Sequence, residues 1–180
     1  PDTTPGDGAF TPCPACRDRG KPAHPHGQWT WNANDPEKLT CQVCGTVFPN
    51  DQYPESIVRT TTYGPPQQIT FYGGPPFTLF GFLTRPSFTA NIRSRKATYM
   101  ASLCRRLAEA YLLTNNPDYA AATRQVLLRF AAVYPHWLVH VGYGEYADCD
   151  PHLAALNINA LPTDEINSGA TRPDRRLHPA

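Results

Sequence analysis

Two pairs of cysteines constrain this chain more than any other feature. Cys13-Pro14-Ala15-Cys16 and Cys41-Gln42-Val43-Cys44 each have C-x-x-C spacing, which lets two thiolates reach one ion from a tight turn. Two such turns together make a tetrahedral all-thiolate site, the donor set that suits Zn²⁺ best among common metals. Gly45 follows the second pair, at a position where φ > 0 is often needed. The connection between the pairs is longer than the usual zinc-ribbon range. It carries His24 and His26, which four thiolates reduce to bystanders. The competing reading is disulfides. A C-x-x-C disulfide closes a very small ring, is mainly redox-active, and normally opens a helix in a βαβ unit. Pro14 and the Pro/Gly-rich surroundings predict turns instead. The expectation is therefore a structural site with Cys13, Cys16, Cys41 and Cys44 as ligands. Such a site closes every position on the metal, so it folds the segment and does no chemistry.

Composition narrows the partners. The chain has 180 residues, 41% of them apolar and 11% aromatic, enough for one ordinary core with a small appendage. A net charge of +1 gives no electrostatic case for nucleic acid or an anionic membrane. Between residues 13 and 44 only Arg17, Arg19, Lys21 and Lys38 are basic, which is not a nucleic-acid stripe. No apolar run is long enough to span a bilayer. The chain opens on Pro1 and stops at His178-Pro179-Ala180. Both ends look cut, so a piece of a longer protein is expected, and the lack of a leader says nothing about location.

Twenty prolines, about twice average usage, organise the first half into turns and extended stretches. Residues 1–12 read as a loosely held lead-in, and 13–89 as the cysteine module with short antiparallel strands. Trp29 and Trp31 alternate with polar residues, as on a strand with one face buried; core is the preferred role, a sugar-stacking surface the alternative. Pro49-Asn50-Asp51 signals a turn. Residues 57–63 are rich in β-branched side chains and read as a strand, 69–72 make a return strand, and 77–83 are an apolar run. The character changes near residue 90. Met100, Leu103, Cys104, Leu107 and Tyr111 form a helical stripe, with Cys104 a buried thiol. Asn116 and Pro117 read as N-cap and first turn of a second helix, whose apolar face includes Val126, Leu127, Phe130 and Tyr134 and which Pro135 ends. The two helices make an αα-hairpin with Leu107 and Phe130 both buried. The fold class is α+β. The two halves have separate stripes and separate staples. Beyond residue 135, a loop dense in aromatic and titratable side chains offers His140, Tyr143 and Tyr146 as candidate cleft residues. Their spacing matches no catalytic motif, and packing of aromatics on a helical wall is the plainer reading.

The stretch Leu107-Ala108-Glu109-Ala110-Tyr111-Leu112-Leu113-Thr114-Asn115-Asn116-Pro117-Asp118-Tyr119, running on to Phe130 and Pro135, resembles the first αα-hairpin of heparinase II/III-like polysaccharide lyases. Cys44-Gly45-Thr46-Val47-Phe48-Pro49-Asn50-Asp51 is similar to the cysteine-containing N-terminal extension of some members. The resemblance implies that residues 90–180 begin an incomplete (α/α) toroid. It also implies cleavage of a uronic-acid-containing acidic polysaccharide by β-elimination, and a secreted or periplasmic location. That chemistry needs a group to neutralise the uronate, a base for the C5 proton and an acid for the leaving oxygen. The family carries most of these on later helices, so no catalytic residue transfers to this chain. Two other classes compete. One is a non-catalytic zinc-binding interaction module on a helical scaffold. The other is a glycoside hydrolase on a complete barrel, which would need a pair of placed carboxylates.

Overall fold

A computed structural model describes residues 11–60, 68–79 and 82–136. Among them, short antiparallel strands and a cysteine cluster come first and two long helices follow. Helix α1 (Pro14–Asp18) is one short turn and a half, with Cys13 as its N-cap. Strands β1 (Trp29–Asn32), β2 (Asp35–Cys41) and β3 (Val47–Phe48) form an antiparallel sheet in that order. In its register Trp29 faces Cys41, and Leu39 faces both Trp31 and Phe48. Two separate hairpins follow, β4 (Ile57–Thr60) with β5 (Gln68–Phe71), and β6 (Phe77–Leu79) with β7 (Phe82–Thr84). The apolar run at 77–83 supplies β6 and most of β7. Residues 61–63 of the first expected strand lie outside the described residues.

Helix α2 (Phe88–Thr114) starts two residues before the expected change at residue 90. Ser87 accepts from the Ala90 N–H and caps it, a cap legible in the sequence once Pro86 is read as the stop before it. Asn115, at φ 54°, closes α2 in the left-handed conformation. Asn116 then accepts from the Asp118 N–H and opens α3 (Pro117–Val133) as its N-cap, as its sequence predicts. The two helices pack side by side, and a single turn of 3₁₀ helix (Tyr134–His136) ends the described chain.

The core is aromatic. Phe48 is fully buried, with its ring 5.3 Å from Trp29, 5.6 Å from Tyr53 and 4.4 Å from Phe88, centroid to centroid. Offset and edge-to-face pairs of this kind contribute beyond simple area burial. Cys13, Cys16 and Cys41 belong to the same cluster, and so do Phe88 and Ile92 of α2. The expected boundary at residue 89 therefore falls inside α2, and the cysteine module shares one core with the first turns of that helix. This corrects the reading of two halves with separate staples. Thr11 and Pro12, assigned to the lead-in, are buried as well. Thr11 accepts from the Trp29 indole N–H through its carbonyl and from Asn91 Nδ2 through its hydroxyl. Gly27, at φ 68°, lies so close to the Trp29 ring that a Cβ there would overlap the indole nitrogen.

The outer part of the helical pair is a different environment. Cys104 is buried as expected, but Leu107 and Phe130 are only partly covered, against the expectation of full burial. Leu127 and Leu128 are 54% and 52% exposed, and Leu112 and Leu113 are 80% and 86% exposed. Tyr111, Ala120, Thr123, Leu127, Leu128 and Ala131 line an open apolar groove between the helices. No described helix is long and apolar enough to cross a membrane.

Candidate metal centre

The two C-x-x-C segments arrive from different directions but are closed in the same way. In the first, the Arg17 N–H donates to the Cys13 carbonyl; in the second, the Gly45 N–H donates to the Cys41 carbonyl. Each turn aims two sulfurs inward. Gly45 is at φ 73° with open space where a Cβ would sit, so conformation and not crowding selects glycine. The first segment departs from the expectation of a plain turn, because Pro14 occupies the first position of α1 and its fixed φ suits a helix start. It nevertheless packs against an antiparallel sheet and belongs to no βαβ unit.

The four Sγ atoms of Cys13, Cys16, Cys41 and Cys44 lie within 4.8 Å of one another. Cys13 to Cys44 is 3.7 Å and Cys16 to Cys41 is 3.6 Å. A disulfide needs about 2.05 Å. A tetrahedron with sulfurs at about 2.3 Å from its centre spaces them about 3.8 Å apart. The observed separations fit shared coordination of one ion, and all four residues are free thiols. Where no cation is present, such thiols resist ionising together. Burial, then hydrogen bonding with Cys41 and Cys44, pushes Cys13 well above the usual thiol range. The same causes push Cys16 up to about 12. For Cys44 burial also works upward, but the hydroxyl and backbone N–H of Thr46 outweigh it and bring the thiol down to about 6. The Thr46 hydroxyl lies 3.2 Å from that sulfur. Four adjacent sulfurs in a largely buried cluster are a poor place for unbalanced negative charge, and a divalent cation would offset the charge of the thiolates that bind it.

A ring of side chains holds the centre in place. Arg17, next to Cys16, donates from Nη1 to the Pro75 carbonyl at 3.0 Å and lies 4.3 Å from the Phe77 ring centroid, a cation–π contact. Arg19 donates to the Cys44 carbonyl at 3.0 Å and Lys21 to the Val43 carbonyl at 3.3 Å. On the far side of the core, Glu55 accepts from the first two amides of α2, Phe88 and Thr89, and from the hydroxyls of Thr70 and Thr89 at 2.6 and 2.7 Å. Nothing in the sequence marks Glu55, because its partners are 15 to 34 residues away. Thr46, two residues past a ligand, was findable from the knuckle pattern alone.

His24 and His26 stay out of the cluster; both are exposed, with ring centroids 5.7 Å apart. Trp29 is core, and Trp31 is partly covered beside Tyr99 of α2 at 5.6 Å. His140, Tyr143 and Tyr146 lie outside the described residues. No protein-family model, curated protein or solved structure matches the chain.

Proposed function

We propose that Cys13, Cys16, Cys41 and Cys44 hold one structural Zn²⁺, and that the module around it seats the first helix of a polysaccharide lyase of the heparinase II/III-like kind. The observation that carries the metal is the set of four sulfurs at coordination spacing inside a core that also contains Phe88 and Ile92 of α2. An all-thiolate donor set favours zinc over the harder divalent ions. With four protein ligands no position is left for substrate, so the ion's contribution is to folding.

The lyase reading draws on the residues quoted from Leu107 to Pro135, and the open apolar groove of the hairpin is in keeping with a helical domain that continues. Cleavage would proceed by β-elimination on an acidic polysaccharide, with most of the catalytic groups supplied from elsewhere in a longer protein. The test has two arms. Protein prepared under reducing, chelator-free conditions should carry one zinc by elemental analysis; absence of metal together with two disulfides by mass would remove the metal reading. These 180 residues alone should give no ultraviolet signal of an unsaturated uronate on heparin, heparan sulfate, alginate or ulvan. A longer form carrying the downstream sequence should give one on at least one of them. In that form His140→Ala and Tyr143→Phe should each lower turnover by a hundredfold or more (about 2.7 kcal/mol on the barrier) if the loop belongs to the cleft. A longer form silent on every acidic polysaccharide would favour the interaction module.

A further inference from the structure

The four cysteines are not equally covered. Cys13, Cys16 and Cys41 are 1–2% exposed, whereas Cys44 is only partly covered. A bound thiolate can exchange with an external disulfide only where the attacking line is open, so access decides which ligand reacts first. Two cations stand at that opening. Arg19 and Lys21, both exposed, hold the carbonyls of Cys44 and Val43 and so place a guanidinium and an ammonium at the tip of the second knuckle. The nearest acidic side chain in that stretch, Asp18, faces Arg17 at 3.6 Å. Once Cys44 has reacted, the sulfur of Cys13 is 3.7 Å away to complete the exchange.

We propose that Cys44 is a thiol-exchange site for an anionic low-molecular-weight disulfide, with Cys13 as the resolving thiol, so that the metal staple is released by oxidation. The inference rests on the metal reading above. The Cys44 thiolate attacks one sulfur of the disulfide, forming a mixed disulfide and expelling one thiolate. The Cys13 thiolate then attacks the Cys44 sulfur, forming the Cys13–Cys44 disulfide and expelling the second thiolate. Two cysteine thiolates are oxidised and one external disulfide is reduced to two thiolates, so electrons balance. The metal is left with Cys16 and Cys41 alone and dissociates. Because the new bond joins the two knuckles across the former metal position, it keeps them together in place of the ion. Arg19 and Lys21 would raise the local concentration of an anionic reagent through their fields.

The test uses the zinc-loaded 180-residue chain and limiting oxidised glutathione, with zinc release followed by a chromogenic chelator and products mapped by peptide mass spectrometry. The first adduct should be on Cys44, and the first internal disulfide should be Cys13–Cys44. One zinc should leave per glutathione disulfide consumed. Peptide mapping separates these products from any on Cys104 or Cys149. The Arg19→Gln/Lys21→Gln double variant should slow the glutathione reaction several-fold more than the reaction with uncharged hydroxyethyl disulfide. First modification at Cys16 or Cys41, or a first disulfide within one C-x-x-C pair, would overturn the proposal. An equal slowing with both reagents would overturn the role of charge. Metal content measured before oxidant is added separates this from the earlier reading. A chain that carries no zinc removes both, whereas a zinc-loaded chain that reacts elsewhere removes this one alone.

Discussion

Individual side chains differ in how much of the structure depends on them. Phe48 touches Trp29, Tyr53 and Phe88 and is fully buried. Phe48→Ala should cost about 3–5 kcal/mol, as deletion of a buried aromatic does, and equilibrium urea unfolding would measure it. Glu55 is the less obvious case. Its carboxylate accepts four hydrogen bonds, two from the orphan amides that open α2. Gln at this position keeps the shape but turns one acceptor oxygen into a donor facing donors. Glu55→Gln should therefore cost about 1–3 kcal/mol, the range for a charge-assisted bond lost with its partners left in place. A melt unchanged by Glu55→Gln would mean that water replaces the carboxylate at that helix start.

At the level of elements, the two ends of α2 have different standing. Ile92 is buried in the aromatic core, whereas Leu107 is only partly covered. Ile92→Ala should cost about 2–5 kcal/mol. Leu107→Ala should cost about half as much or less, since the loss scales with the apolar area removed from water. Paired thermal melts of the two variants would check the order, and equal losses would show that the surroundings of Leu107 are covered in solution. The helical periodicity of Met100 to Tyr111 marks which residues share a face. It does not tell whether that face has a partner, because period depends on local spacing and burial depends on what arrives from elsewhere in the chain.

Taken together, the described residues form a core with a four-cysteine corner and a helical arm. The cysteines, the three-stranded sheet and the start of α2 converge on the same aromatic cluster. Structural zinc contributes about 10–16 kcal/mol in small zinc modules, comparable to or larger than the ~5–15 kcal/mol net stability of a domain. Loss of the proposed Zn²⁺ should therefore unfold everything that shares the core. Cys13→Ser, or chelation of the native protein, should raise amide exchange together in β1–β3 and in the first turns of α2. Exchange near the 114–117 turn, remote from the cluster, should change little. Hydrogen-exchange mass spectrometry would read this directly. A rise confined to residues 13–45 would show that α2 starts without help from the metal module.

The cysteine spacing by itself determined that Cys13, Cys16, Cys41 and Cys44 come together, because two C-x-x-C turns each aim a pair of sulfurs to one side within a few residues. The caps at Asn116 and Pro117 and the positive φ at Gly45 were equally local, each set by a side chain or a missing Cβ acting within three residues. Only the tertiary structure decided that Phe88 and Ile92 join the cysteine core and that Glu55 caps a helix 33 residues later in the chain. It also decided that Thr11 is buried beneath Trp29 and that Cys44 is the least covered of the four cysteines. These are long-range contacts between segments whose own patterns are complete without them. Burial of apolar area is non-directional, so a pattern can say that a face must be covered but not by what.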